Sequence, residues 1–278
     1  MKLNSKFYDA FVRKSLSVQA YLTVGILVLI VGVIFFKGIP YVNLEFLFYY
    51  PEDMGRHGGI FPSIVGTLFL VVLSLFFATP LGLGTAIFLT EYTRESRLTR
   101  MIRFGVESLA GIPSIIYGLF GFIFFVVKLG MGWSLLSGAL TLTIMMLPTI
   151  IRTSEEAIKS VPKSLRMVSY SLGATKWETT TKVVLPSAAP GILTGIMLSI
   201  GRAIGETAAV IFTMGSSLRL PTSLMDSGRT MAVHFYILAR EGISMEKAYA
   251  TALVLVLSIL AINIFAYYVM NKLISRYS

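Results

Sequence analysis

The sequence predicts an all-α membrane protein that crosses the bilayer six times, and three observations carry that fold class. Of 278 residues, 55% are hydrophobic and 14% charged, against roughly 45–50% and about 25% in soluble domains. The mean hydropathy is +0.77. The charges are also unevenly spaced, leaving uncharged runs of the length, about 20 residues, that crosses a hydrocarbon core of about 30 Å. A helix satisfies its backbone polar groups internally, whereas a barrel would show short alternating strands.

Taken in order, residues 18–36 form the first span, an uncharged run. Lys2, Lys6, Arg13 and Lys14 precede it as they would in a secretory signal. The run is too long for a signal core, and Lys37-Gly38-Ile39-Pro40 offers no small-residue cleavage site, so the run is expected to stay as a span. The second span lies within residues 58–90, long enough to tilt or break at Pro80. The third covers residues 104–127, with Glu107 expected to pair with Arg103 four residues earlier. The fourth covers residues 133–151, the fifth 190–216 and the sixth 249–271. Pro80, Pro113 and Pro148 predict local kinks in packed spans. Residues 229–240 predict an amphipathic helix on the outer surface.

Charge then fixes orientation. With six spans both termini share a side, and that side collects sixteen basic residues against seven opposite, with Arg202 left in the membrane. The positive-inside rule makes the richer side cytoplasmic. The net charge of +10 is thereby a topology signal, and with the aromatics lying in the spans it does not point to nucleic acid. No cysteine is present, and the two histidines, His57 and His234, lie far apart. Neither a disulfide scaffold nor a metal site is expected.

The loop at residues 153–189 is patterned for short helices. Thr153 with Glu156 reads as a capping box, and Pro162 restarts the chain. Residues 163–172 form a helix ended by Gly173 at C′, and Thr175 with Glu178 opens another. The spacing from Gly173 to Val183, Leu185-Pro186 and Pro190-Gly191 resembles the loop signature of ABC importer permease subunits, the Glu-Ala-Ala motif with its following Gly and Ile-x-Leu-Pro. That resemblance implies an ABC importer permease fold and a coupling helix that docks in a groove of a cytoplasmic ATPase. Ser164, Leu165, Met167, Val168, Ser169, Leu172, Gly173 and Ala174 would then form the coupling site. Met167, Val168 and Ser169 occupy the Glu-Ala-Ala positions, so the family's acid is absent. No Gly-x-x-x-x-Gly-Lys-Ser/Thr loop occurs, so no catalytic residue or cofactor is expected here and ATP hydrolysis falls to a partner.

Arg202 and Glu206 lie inside the fifth predicted span. Twelve residues separate Pro190 from Arg202, about 18 Å of helix, which places the arginine near the midplane. Four-residue spacing lets the pair neutralise each other on one face. Two readings stand: an internal salt bridge, or a guanidinium fork presented to a tetrahedral oxyanion, with Glu206 holding or releasing it. Gly191 with Gly195, and Gly201 with Gly205, predict close helix approach.

Residues 199–208, Ser-Ile-Gly-Arg-Ala-Ile-Gly-Glu-Thr-Ala, resemble the Gly-Arg-Ala-x-Gly-Glu-Thr run of phosphate-specific ABC importer permeases. Residues 59–67, 110–121 and 147–153 resemble the same family, and the short basic N-terminal segment is closer to its PstA-type than its PstC-type subunit. The resemblance implies that Arg202 and Glu206 line a phosphate path and that Arg152 meets the ion at its exit. For Arg152, topology alone already accounts for a basic residue at a cytoplasmic helix end. It implies as partners a homologous PstC-type permease, an ABC ATPase dimer, an extracytoplasmic phosphate-binding protein and membrane lipid. The expected location is the cytoplasmic membrane of a prokaryote, with both termini cytoplasmic. The expected domains are residues 1–57, holding the first span and an outer loop, and the permease domain at 58–278. A permease for sulfate or molybdate stays open as an alternative, as does an ion-gradient-driven carrier or channel. Few His, Cys or paired acids fall in the spans, which disfavours a membrane enzyme.

Overall fold

The computed structural model describes residues 5–277, with the side chains of Tyr8, of 11–268 and of Lys272. Lys2, and the side chains of Lys6, Asp9, Asn271 and Arg276, lie outside the described residues. Helix α1, Ser5–Gly38, is one continuous 34-residue rod. After a 3-10 turn at Ile39–Tyr41, the short α2, Leu44–Phe48, starts at Asn43, whose Oδ1 accepts from the Phe46 amide at 2.7 Å. A two-residue hairpin follows, β1 (Pro51–Glu52) antiparallel to β2 (His57–Gly58), with Pro51 opposite Gly58.

Helix α3, Phe61–Ile87, carries Pro80 within it and ends in a π-helical turn, Phe88–Tyr92. The third predicted span is broken. Its halves are α4, Arg97–Ala110, and α5, Ser114–Gly121, the latter extended by a π-helical stretch Phe122–Lys128. The axes meet at 103°. Pro113 biases Ile112 away from helical dihedrals and Gly111 resists helix, so Ala110–Pro113 becomes a corner rather than the expected kink. Among the described residues five helices are long and apolar enough to span, and counting this bent pair as one crossing gives six.

Helix α6, Leu135–Ser160, outruns its predicted end by nine residues. Thr153 therefore caps nothing: it sits mid-helix, its Oγ1 donating to the Thr149 carbonyl at 2.7 Å. Then come α7, Lys163–Ser171, and α8, Lys176–Thr179. A π-helical turn at Thr180–Val184 joins α8 to α9, Leu185–Ile204. The fifth crossing thus runs Lys176–Ile204, shifted toward the loop that precedes it from the expected 190–216. Pro190, expected to open the span, lies within it, as does Pro186. The chain continues through α10, Ala208–Thr213, α11, Met231–Arg240, and α12, Met245–Tyr277. Helix α11 is not a surface helix: Met231, Ala232, Val233, His234 and Leu238 are all buried, between α3 and α12.

The core sits around α6, whose Leu142, Met145, Met146 and Ile150 pack with Leu70 of α3, Ile204 of α9, and Val210 and Met214 near α10. Its buried threonines bond back into the helix: Thr143 Oγ1 lies 2.8 Å from the Ala139 carbonyl and 3.2 Å from that of Ser74 on α3, so the hydroxyl is satisfied away from water, whereas Ser154 Oγ on the same helix is buried without a partner. Among the described residues helix α1 stands apart, packing chiefly on α12. There Gly38 lies so close that a Cβ would come within 2.7 Å of the Tyr249 carbonyl.

Candidate functional site

Arg202 occupies the last turn of α9, and the helix stops at Gly205. The Glu206 amide still donates to Ala203 O at 3.3 Å, but Glu206 belongs to the next element, its Oε1 accepting from Ala209 N at 3.2 Å as α10 begins. The expected i,i+4 ion pair does not form; the ion pairs among the described residues lie elsewhere. Each charge is complemented by a half-helix end instead. A cation suits the carbonyl end of α9 and a carboxylate the amide end of α10.

Arg202 is exposed in this chain and Glu206 half-buried. Tyr117, on α5, lies within electrostatic reach of the Arg202 guanidinium and donates its hydroxyl to the Leu109 carbonyl at 2.6 Å, across the α4/α5 corner. Sequence reasoning missed it. Gly118, one residue on, brings α5 against α10, where a Cβ would stand 2.9 Å from Ala209 Cα. Of the two expected small-residue pairs, one packs. Gly191 and Gly195 face Ala157 and Thr153 of α6, whereas Gly201 and Gly205 meet no neighbouring element. The face around Arg202 is open.

Arg152 does not join this group. It is exposed on α6, its Nε 3.6 Å from Glu156. Because the adjacent Thr153 is level with Gly195, Arg152 sits roughly 10 Å from Arg202 toward the start of α9, seven residues at about 1.5 Å each. It lines a cavity of about 160 Å³ with Arg103, Glu107, Glu155, Glu156 and Lys159. Glu107 does not pair with Arg103 as expected. Arg103 reaches Glu155 at 2.7 Å and Glu95 at 3.3 Å, and Lys159 reaches the same Glu155 at 2.6 Å. Once α6 extends past residue 151, its own acid comes within reach.

The loop helix forms as its caps dictate. Pro162 precedes α7 and Leu172 closes it. Gly173 takes φ of +83°, which an L side chain resists, and its amide donates to Tyr170 O at 3.0 Å. Thr175 and Glu178 form the expected capping box. Ser164, Leu165, Met167, Val168, Leu172 and Gly173 are exposed, Ala174 is half-buried, and Leu172 is 83% exposed. Ser169 turns inward, its Oγ 2.9 Å from Thr179 Oγ1. Leu185, Pro186, Pro190 and Gly191 are half-buried along α9, and Leu185 packs against the buried cluster that holds Ile158, Val184 and Ile192.

Arg166, passed over between Leu165 and Met167, points back from α7. Its guanidinium donates to Glu91 Oε1 at 2.7 and 3.2 Å, to Val161 O at 2.7 Å and to Ile158 O at 2.9 Å. His57 is exposed. His234 is buried with Nδ1 3.3 Å from Arg229 Nη1, and burial together with the Arg229 charge lowers its pKa to about 3, so it stays neutral.

The model of the family described as the binding-protein-dependent transport system inner membrane component matches residues 78–278. The chain belongs to this family. Members of the family are the transport subunits of importers. The permease is 32% identical over 280 residues, 95% of each chain, to a probable ABC transporter permease protein, YqgI, of Bacillus subtilis. It is 36% identical to phosphate transport system permease protein PstA 1 of Mycobacterium tuberculosis, over 78% of this chain and 71% of that one. A PstA of Pasteurella multocida is 35% identical over 83% and 82%. Among solved structures, a bacterial alginate ABC transporter superimposes with a TM-score of 0.67 at 17% identity, over 96% of this chain and 98% of that one. The MetNI methionine ABC transporter gives 0.66 at 22%, over 77% and 95%. The permease therefore has the ABC importer permease fold.

Proposed function

We propose that this permease is the PstA-type subunit of an ATP-driven importer that carries inorganic phosphate across the cytoplasmic membrane by alternating access. The observation that carries the reading is Arg202. It is a guanidinium at the carbonyl end of a half-helix, on an open face, without a carboxylate partner among the described residues. A planar fork so placed suits a tetrahedral oxyanion. The similarity to phosphate permeases across most of the chain supports the choice of anion.

In this reading a PstC-type permease covers the Arg202 face, so that the two chains enclose the path. Arg202 and Glu206 line it, and Arg152 lies toward the exit. An extracytoplasmic phosphate-binding protein delivers the ion. A pair of ABC ATPases docks on the exposed apolar side chains of α7 and hydrolyses the ATP. Both termini are cytoplasmic.

The test is uptake of labelled phosphate in cells carrying Arg202→Gln. Loss of high-affinity uptake at normal protein level is expected, and undiminished uptake rejects the role of Arg202. Sulfate or molybdate competing as well as phosphate would reassign the anion. Uptake that survives inactivation of the ATPase would point to a carrier.

A further inference from the structure

Glu91 and Arg166 are only 7% and 16% exposed at their side chains. A buried ion pair of this kind adds little stability over apolar side chains of the same volume, so stability alone does not account for it. What the pair achieves is mechanical, because one guanidinium joins three elements. Arg166 belongs to α7, holds the carboxylate of Glu91 in the turn that closes α3, and also holds the Ile158 and Val161 carbonyls where α6 ends. Its neighbours Met167 and Val168 face outward at 62% and 59% exposure, so the helix presents apolar side chains on one side and is anchored on the other. Only Pro162 and its neighbours separate α7 from α6 in the chain, and covalent continuity already links them. The end of α3 lies some 75 residues away, and among the described residues every hydrogen bond between α7 and that end runs to Glu91. Beside it, Lys176 lies 5.1 Å over the ring of Tyr92.

We infer that Arg166 and Glu91 are positioning residues for transport, a strut that passes displacement of α7 to α3 as well as to α6. A planar fork bonded at several points fixes direction as well as distance, which a flexible loop would not. The inference rests on α7 being the ATPase-docking helix and not on which anion is carried.

The experiment uses the whole complex, with partner permease, ATPase pair and binding protein, in proteoliposomes, and reads anion moved per ATP hydrolysed. In Glu91→Gln and Arg166→Lys the ATPase should co-purify in the wild-type ratio and hydrolyse ATP, while transport per ATP falls about tenfold. A purely structural role would lower assembly and hydrolysis together and leave that ratio unchanged. The chain has no cysteine, so the double variant Glu91→Cys/Arg166→Cys can be bridged with a bifunctional thiol reagent. Bridging should raise the ratio at least about threefold over the open form. A ratio in Glu91→Gln equal to wild type, or a bridged pair no better than the open one, overturns the strut. If Glu91→Gln does not assemble, the bridged pair alone decides. A wild-type complex that moves another oxyanion and not phosphate rejects the phosphate reading, and the ratio is then measured with that oxyanion.

Discussion

A cation in a membrane needs a counter-ion or a substitute for one, and Arg202 has the carbonyl end of α9. Glu206 is engaged with the Ala209 amide, so the two charges are independent. The double variant Arg202→Glu/Glu206→Arg should therefore show no recovery over Arg202→Glu in phosphate uptake, whereas restoration by the swap would reinstate the ion pair. Glu206→Gln keeps an oxygen that can accept from Ala209 N–H and loses only the charge, a difference of about 1 kcal/mol. Uptake kinetics for it should stay within about fivefold of wild type. Both residues were legible in the sequence as ionisable groups in an apolar run, but their relation was not. Gly205 fits either a helix groove or a helix end when apolar residues lie on both sides, and only the fold shows that it ends α9. Arg166 was invisible for a similar reason. A basic residue in a cytoplasmic loop is expected from topology, and its acid partner lies far away in sequence.

Capping chemistry at the level of elements separates two identical patterns. Thr153 and Thr175 are each followed three residues later by Glu, yet only Thr175 caps a helix. Gly173 has just ended α7 before Thr175, whereas nothing interrupts α6 before Thr153, so its hydroxyl bonds back into the helix. The same logic sorts the prolines. Pro80, Pro148 and Pro190 ride within helices, while Pro113 follows Gly111 and Ile112 and turns the chain by 103°. Where a stop signal stood beside a breaker, the boundary was readable from sequence; where a breaker stood alone in an apolar run, packing decided. Gly173→Ala tests the cap. No atom lies within 4 Å of the added methyl, so the cost is the left-handed backbone alone, about 1–2 kcal/mol. Hydrogen exchange at the substituted position and at Ala174, the two sites whose amides close the α7 terminus onto Tyr170 and Ser169, should rise about tenfold. Exchange unchanged from wild type would show that the cap adds nothing to the hold on α7.

The molecule as a whole is asymmetric in a way one chain does not resolve. Helix α6 is enclosed, while α1 exposes nearly all its apolar side chains and the Arg202 face stays open. Lipid can cover α1, but a cation complemented only by a helix end, with no carboxylate, calls for protein or water beside it. The charge distribution sets how this asymmetric body sits. Arg94, Arg97, Arg100, Arg103 and the basic residues of α7 share one end, and the hairpin and α11 lie toward the other. If the richer end is cytoplasmic, Ser164→Cys on α7 and Glu241→Cys beyond α11, both exposed, lie on opposite sides. The native chain has no cysteine, so each variant presents a single thiol. A membrane-impermeant maleimide added to intact spheroplasts should modify Glu241→Cys and spare Ser164→Cys, and inside-out vesicles from cells without the ATPase, which would otherwise cover α7, should reverse the pattern. Labelling of Ser164→Cys from outside would invert the topology. It would also remove α7 from reach of any cytoplasmic ATPase, taking the strut and the coupling reading with it.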